Sequence, residues 1–176
     1  MTTQTGLNER PAVREFIITR TFDVARERMW QAWTERARLM QWFGPKGFTM
    51  PAAKLDLRPG GWFHYCLCAP DGNEMWGRLV YREIVAPERI VLVSSFSDED
   101  GRITRHPTIE TWPLEMLCTF TFSGRNGRTT VSVKWIPINV REAEIEAFER
   151  AHEAMEQGWS GTFEQLAAFL AKTGPQ

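Results

Sequence analysis

Apolar and polar positions alternate along most of this chain, and each change of period marks an element boundary. From Arg14 onward, Phe16, Ile18, Arg20 and Phe22 fall on one face and predict a first strand. The period then lengthens. Met29, Trp30 and Trp33 share one side of a helix that Asp23 can cap. Leu39, Met40 and Phe43 repeat that spacing in a second short helix, which Thr34 can cap and Gly44-Pro45 stops. Six more strands are predicted over residues 50–57, 61–68, 74–84, 89–97, 114–123 and 129–137. Between them stand Pro59-Gly60-Gly61, Pro70-Asp71-Gly72-Asn73, Ala86-Pro87-Glu88 and Arg125-Asn126-Gly127-Arg128. Asn-Gly tolerates the positive φ of a type I′ turn, so the last is a hairpin. Links this short leave no room for crossover helices, and the sheet must be antiparallel. One longer connection, residues 97–113, reads as a mobile loop or lid.

The helical period returns from Arg141 to Ala171, with Ile145, Phe148, Met155, Trp159, Phe163, Leu166 and Leu170 in step. A single helix of that length spans roughly 40 Å at the usual rise, and it needs a long surface to lie on. A curved sheet of seven strands supplies one. Inside this helix Gly158 and Gly161 bracket Trp159, although an interior glycine costs about 1 kcal/mol against alanine. Strand 74–84 presents Met75, Gly77, Leu79 and Tyr81 on one face, and its neighbour presents Phe63, Tyr65 and Leu67. Small residues on helix and sheet predict close docking, with Trp159 projecting into the space left between them. The plainer alternative is an ordinary core plugged by Trp159, with the glycines marking a kink.

Composition narrows the classes. Residues 1–12 are polar and aperiodic and read as a disordered tail, leaving 13–173 as one domain. A net charge of −1 argues against a chain built to wrap phosphate backbones, so no nucleic-acid partner is expected. No apolar run is long enough to span a bilayer, and the first residues lack a secretion signal, which points to the cytoplasm. Eight Trp and eleven Phe against two Tyr imply a thick core or an aromatic-walled cavity. The three cysteines, Cys66, Cys68 and Cys118, read as reduced, partly buried thiols.

The order of strand, two short helices, six strands and long helix resembles the helix-grip fold of the START-like (SRPBCC) superfamily. Trp33-Thr34, Trp42-Phe43-Gly44-Pro45, Pro59-Gly60-Gly61 with Phe63, Pro87-Glu88-Arg89-Ile90, and Gly158-Trp159 followed by Leu166 look like its branch of homologues of the activator of heat shock protein 90 ATPase. The resemblance covers residues 14–171. It implies an α+β fold and an apolar cavity between the sheet and the last helix. It also implies a small lipid-like, hormone-like or polyketide-like ligand or, in a few members, cyclisation or dehydration chemistry. The eukaryotic co-chaperone carries a separate chaperone-binding domain ahead of its helix-grip domain. With about a dozen residues before the first strand here, chaperone activation is not the expectation.

Strand and helix parity sends Phe63, Tyr65, Leu79, Tyr81, Met116, Trp135, Met155, Trp159 and Phe163 toward that cavity. Tyr65 and Tyr81, the only tyrosines, are its first polar candidates. Arg20 and Glu83 continue inner faces and would form a buried pair or orient a ligand. His152, seven residues before Trp159, would reach the cavity rim or settle as a satisfied interfacial histidine. His64 falls opposite Phe63 and reads as a surface residue, while His106 in the long loop can cap a ligand. The histidines lack metal-ligand spacing, no helix follows Gly60-Gly61 to cradle a phosphate, and no nucleophile–base set assembles, so neither catalytic residues nor cofactors are expected. The leading expectation is a binder of one small apolar or amphipathic molecule. Two alternatives stand beside it: a cyclase- or dehydratase-type enzyme acting on a polyketide-like substrate, and a stress-related, co-chaperone-like interaction module, as a homodimer. Trp62 and Trp76, on outward faces, are the features that favour the last.

Overall fold

Turn residues settle the sheet. Asn126 and Gly127 both take positive φ, 53° and 74°, the type I′ geometry whose twist matches that of the strands it joins. They fold β6 (Glu115–Arg125) back on β7 (Arg128–Ile138), with Arg125 opposite Arg128. The computed structural model describes residues 12–174. The expected tail over residues 1–12 lies outside that range but for Ala12. Ahead of this hairpin run β1 (Phe16–Phe22), β2 (Thr49–Leu55), β3 (Trp62–Cys68), β4 (Glu74–Val85) and β5 (Arg89–Ser97). All pairs are antiparallel, in the order β1-β7-β6-β5-β4-β3-β2. The α+β, helix-grip arrangement expected from the sequence is the one found.

Two short helices, α1 (Arg26–Thr34) and α2 (Arg36–Trp42), follow β1, but neither starts as the sequence suggests. Asp23 is captured by Arg128 of the β6–β7 turn at 2.6 Å instead of capping α1. Thr34 closes α1 rather than opening α2, its hydroxyl donating to the Trp30 carbonyl at 2.7 Å. Trp33 anchors this layer. Its ring meets Trp42 at 4.8 Å, Phe120 at 4.9 Å and Trp159 at 6.3 Å.

The long C-terminal helix is in fact two, α3 (Glu142–Arg150) and α4 (His152–Lys172). At Ala151, ψ is −2° and the N–H bonds the Phe148 carbonyl three residues back, at 3.1 Å. The break lets fully buried Phe148 pack edge-on against His152 at 4.9 Å and beside Trp112, so α3 leans over the β5–β6 connection. Arg105 of that connection reaches Glu144 at 3.5 Å. The α4 helix lies along the sheet and buries Trp159, Thr162, Phe163, Leu166, Phe169 and Leu170 on one stripe.

Candidate functional site: a two-chambered hollow under α4

Between the inner face of the sheet and α4 the packing is incomplete. One chamber of about 200 Å³ opens under the β5–β6 connection, and a second of about 210 Å³ opens under α4. Tyr65, Ser94 and Trp135 belong to the walls of both and form the septum between them. Gly77 gives Tyr65 its place. A Cβ there would lie 2.6 Å from the Tyr65 hydroxyl, so only glycine lets the phenol ring fold across the strand. The glycines therefore do not serve close helix–sheet docking, as the sequence suggested. Gly77 makes room for a side chain, and a Cβ at Gly158 would meet nothing within 4 Å. Gly158 borders empty space in the second chamber, and Trp159 forms part of the same wall.

Of the nine residues directed toward the cavity by parity, Leu79, Met155 and Trp159 line the second chamber, Met116 the first, and Tyr65 and Trp135 both. Phe63, Tyr81 and Phe163 do not. The hollow tapers toward α2, where Phe63 and Tyr81 border a void of about 10 Å³, at the lower limit for one water. Phe163 packs edge-on to Phe22 at 5.7 Å within solid core. The polar candidates also part company. A bulge between Tyr81 and Glu83 breaks the face that Glu83 was expected to continue, and Glu83 pairs with Arg89 instead. Arg20 is exposed on the edge strand, its guanidinium over the Phe22 ring at 5.3 Å, so the Arg20–Glu83 pair does not exist. His152 sits outside both chambers, edge-on to Phe16 at 5.7 Å, with its Nε2 buried and unpartnered.

Among the described residues, no Asp, Glu, Lys or Arg side chain lines either chamber. Their titratable groups are held uncharged. Burial first, and then the neighbouring Cys118, push the Tyr65 phenol's pKa up, so it remains an O–H at neutral pH. Burial pulls the His106 imidazole below its ordinary value. The backbone fixes its tautomer too. His106 Nδ1 accepts from the Thr108 and Ile109 amides at 3.1 and 3.0 Å, which leaves the proton on Nε2. Among the described residues no three His, Cys, Asp or Glu side chains cluster closely enough to hold a metal. The thiols of Cys66 and Cys118 are buried and free, with burial raising both pKa values.

Part of what sequence reading missed comes from connections. Trp112, Pro113 and Leu114 of the β5–β6 loop wall the first chamber beside His106, and Gly44 and Pro45 wall the second. Irregular backbone has no period to betray which way it faces. The Gly44-Pro45 stop is held by α4, where Gln165 Nε2 donates to the Gly44 carbonyl at 2.6 Å and Thr162 Oγ1 to the same oxygen at 3.0 Å. Nor is His64 a surface residue. It is 3 % exposed, stacked between Trp62 and Trp76 at 5.1 and 4.9 Å, with Nε2 against the Asp98 carbonyl at 3.1 Å. Arg78 donates to the Gly101 carbonyl at 2.7 Å. The outer face of β3 and β4 thus anchors the start of the loop whose far end walls the first chamber, and Trp62 and Trp76 are half-buried there rather than exposed.

The chain is similar in fold to several solved bacterial proteins. A protein from Arthrobacter aurescens matches with TM-score 0.73 and 24 % identity over 92 % of each chain. One from Mycobacterium smegmatis matches with TM-score 0.72 and 23 % identity over 89 % of this chain and 90 % of its own. The AHSA1 protein from Silicibacter pomeroyi matches with TM-score 0.68 and 21 % identity, over 92 % of this chain and all of its own. Among curated proteins none matches the chain in sequence. The family model described as activator of Hsp90 ATPase homolog 1-like protein matches residues 23–171, from the turn before α1 almost to the end of α4. A match of that extent, on a helix-grip sheet shared with these structures, shows that the chain belongs to the family of activator of Hsp90 ATPase homolog 1-like proteins.

Proposed function

We propose that residues 13–173 act as one unit that binds a single small apolar or amphipathic molecule in the two chambers under α4. One observation carries the reading: two adjoining chambers, walled mostly by aromatic and aliphatic side chains, lie where a filled core would be more stable. A void of this kind forfeits dispersion contacts, and a guest restores them. Apolar burial at about 25 cal/mol per Å² would drive entry, offset by the cost of association. Catalysis is supported less well. The Tyr65 phenol is shifted away from ionising, and His106 has its only basic nitrogen occupied by two backbone amides, so neither is poised to move a proton. Nor does an interaction module gain support, because Trp62 and Trp76 stack on His64 and Trp76 also borders the first chamber, so neither presents a free outward face. Among the described residues no helix is long and apolar enough to cross a membrane.

Native mass spectrometry of protein purified from its own host tests this reading. The expected spectrum shows the folded chain carrying one small molecule that is lost on denaturation. A bare chain, combined with no saturable thermal stabilisation by a panel of lipids and polyketide-like compounds, would overturn it.

A further inference from the structure

The chemistry of the chamber walls selects among guests. Two features of the septum and the roof act together. The Tyr65 and Ser94 hydroxyl-bearing side chains stand in the wall shared by both chambers with the Trp135 indole, whose Nε1–H is buried with no hydrogen-bond partner among the described residues. Across the first chamber His106 has its Nδ1 saturated by the Thr108 and Ile109 amides, so its free nitrogen is a donor only. Among the described residues no cationic side chain lines either chamber. We propose that the hollow is built for an uncharged guest whose accepting oxygen, a ketone, ester or lactone carbonyl, lies at the Tyr65–Ser94 septum, and that it excludes carboxylates of the same shape. The inference rests on the binding function proposed above and specifies its ligand class.

A hydrocarbon that displaces water from the septum leaves the Tyr65 and Ser94 hydroxyls buried without partners, which is unfavourable. A carbonyl satisfies at least one of them. A carboxylate would bring a full charge into a site with no counter-ion, and its desolvation would go unrepaid.

Three probes of one shape separate these cases: 2-acetylnaphthalene, 2-ethylnaphthalene and 2-naphthoate, each titrated by fluorescence at neutral pH. The ketone is expected to bind at least about tenfold more tightly than the ethyl compound, one good hydrogen bond's worth, and at least about a hundredfold more tightly than the carboxylate. Tyr65→Phe should remove most of the ketone's advantage and leave 2-ethylnaphthalene bound as well or better. Ser94→Ala is the second variant, with a smaller change in the same direction, and it keeps the test informative should Tyr65→Phe fold poorly. Equal binding of ketone and hydrocarbon, a ratio untouched by either substitution, or tight binding of 2-naphthoate would overturn the proposal while leaving the binding reading intact. Failure of all three probes to bind would overturn this proposal, while the binding reading falls only if the native mass spectrum and the wider compound panel are empty as well.

Discussion

Two glycines with opposite surroundings give the sharpest tests of the hollow. At Gly77 an added methyl group would lie 2.6 Å from the Tyr65 hydroxyl and 2.7 Å from Cζ. Gly77→Ala should therefore displace the phenol ring from the septum, at a cost of about 1–3 kcal/mol in stability, and weaken any guest that spans both chambers. Denaturant titration together with a probe's Kd checks both effects. Gly158 is the reverse case. Its Cβ would enter open space, and alanine would remove an interior-helix penalty, so Gly158→Ala should raise stability by roughly 0.5–1 kcal/mol while narrowing the second chamber. A gain in stability with a loss of affinity is the expected pair; unchanged stability would place α4's glycine in a different role. Both glycines are conspicuous in the sequence, but their reasons are not. Strand parity puts Gly77 and Tyr65 on one face, whereas the lean of the Tyr65 ring over its neighbour depends on register: Tyr65 sits directly opposite Gly77. Parity failed at Glu83 for a related reason, since a bulge shifts every later side chain to the other face without leaving a Gly or Pro to announce it.

Elements were legible in proportion to the punctuation around them. Strands β3, β4, β6 and β7 each border a Pro-Gly, Asp-Gly or Asn-Gly turn, β5 follows Ala86-Pro87-Glu88, and all five fall within a residue or two of their expected bounds. The break at Ala151 has no such mark, because its cause is tertiary: Phe148 turns inward to meet Trp112 and His152, and α3 follows it. Contacts between elements are likewise invisible in a single chain's pattern, and the clamp from α4 to the Gly44-Pro45 stop is the one that shapes the site. Gln165 Nε2 lies within 3.3 Å of the carbonyls of Trp42, Gly44 and Pro45. Gln165→Leu keeps the helix but takes one donor from each of those carbonyls, leaving Gly44 with Thr162 Oγ1 and Pro45 with the Phe48 amide. The expected loss is about 1–3 kcal/mol, with faster hydrogen exchange at residues 43–48 than in the remainder of the sheet. Uniform exchange across the molecule would show that the clamp does not hold this wall.

Taken whole, the molecule uses many of its inner aromatic residues for two tasks. Trp33, Trp42, Phe120 and Phe122 fill the narrow end of the grip, while Trp112, Trp135 and Trp159 wall the wide end. Two histidines tie this packing to pH. Burial lowers the pKa of His106 below the usual 6.5; for His152 burial does so first, Arg14 adds to it, and Glu149 opposes it. In the unfolded chain both recover ordinary values, so below about pH 6.5 the unfolded state binds more protons than the native one. Stability is therefore fully present above that pH and falls as the solution is acidified. Urea midpoints at pH 7.5 and 5.5 should show the drop, and His106→Gln should reduce it; a midpoint that rises on acidification would contradict the assignment.

The most direct observation of a guest in the hollow is the amide and indole NMR spectrum of the chain titrated with 2-acetylnaphthalene. A hollow that receives it should shift the resonances of Tyr65, Ser94, Gly158 and the Trp135 indole saturably and with one common Kd, while those of Ile17 and Ile103, whose side chains are 57 % and 40 % exposed, stay in place. Shifts confined to such outer positions, or none that saturate, would mean that the space beneath α4 admits no guest.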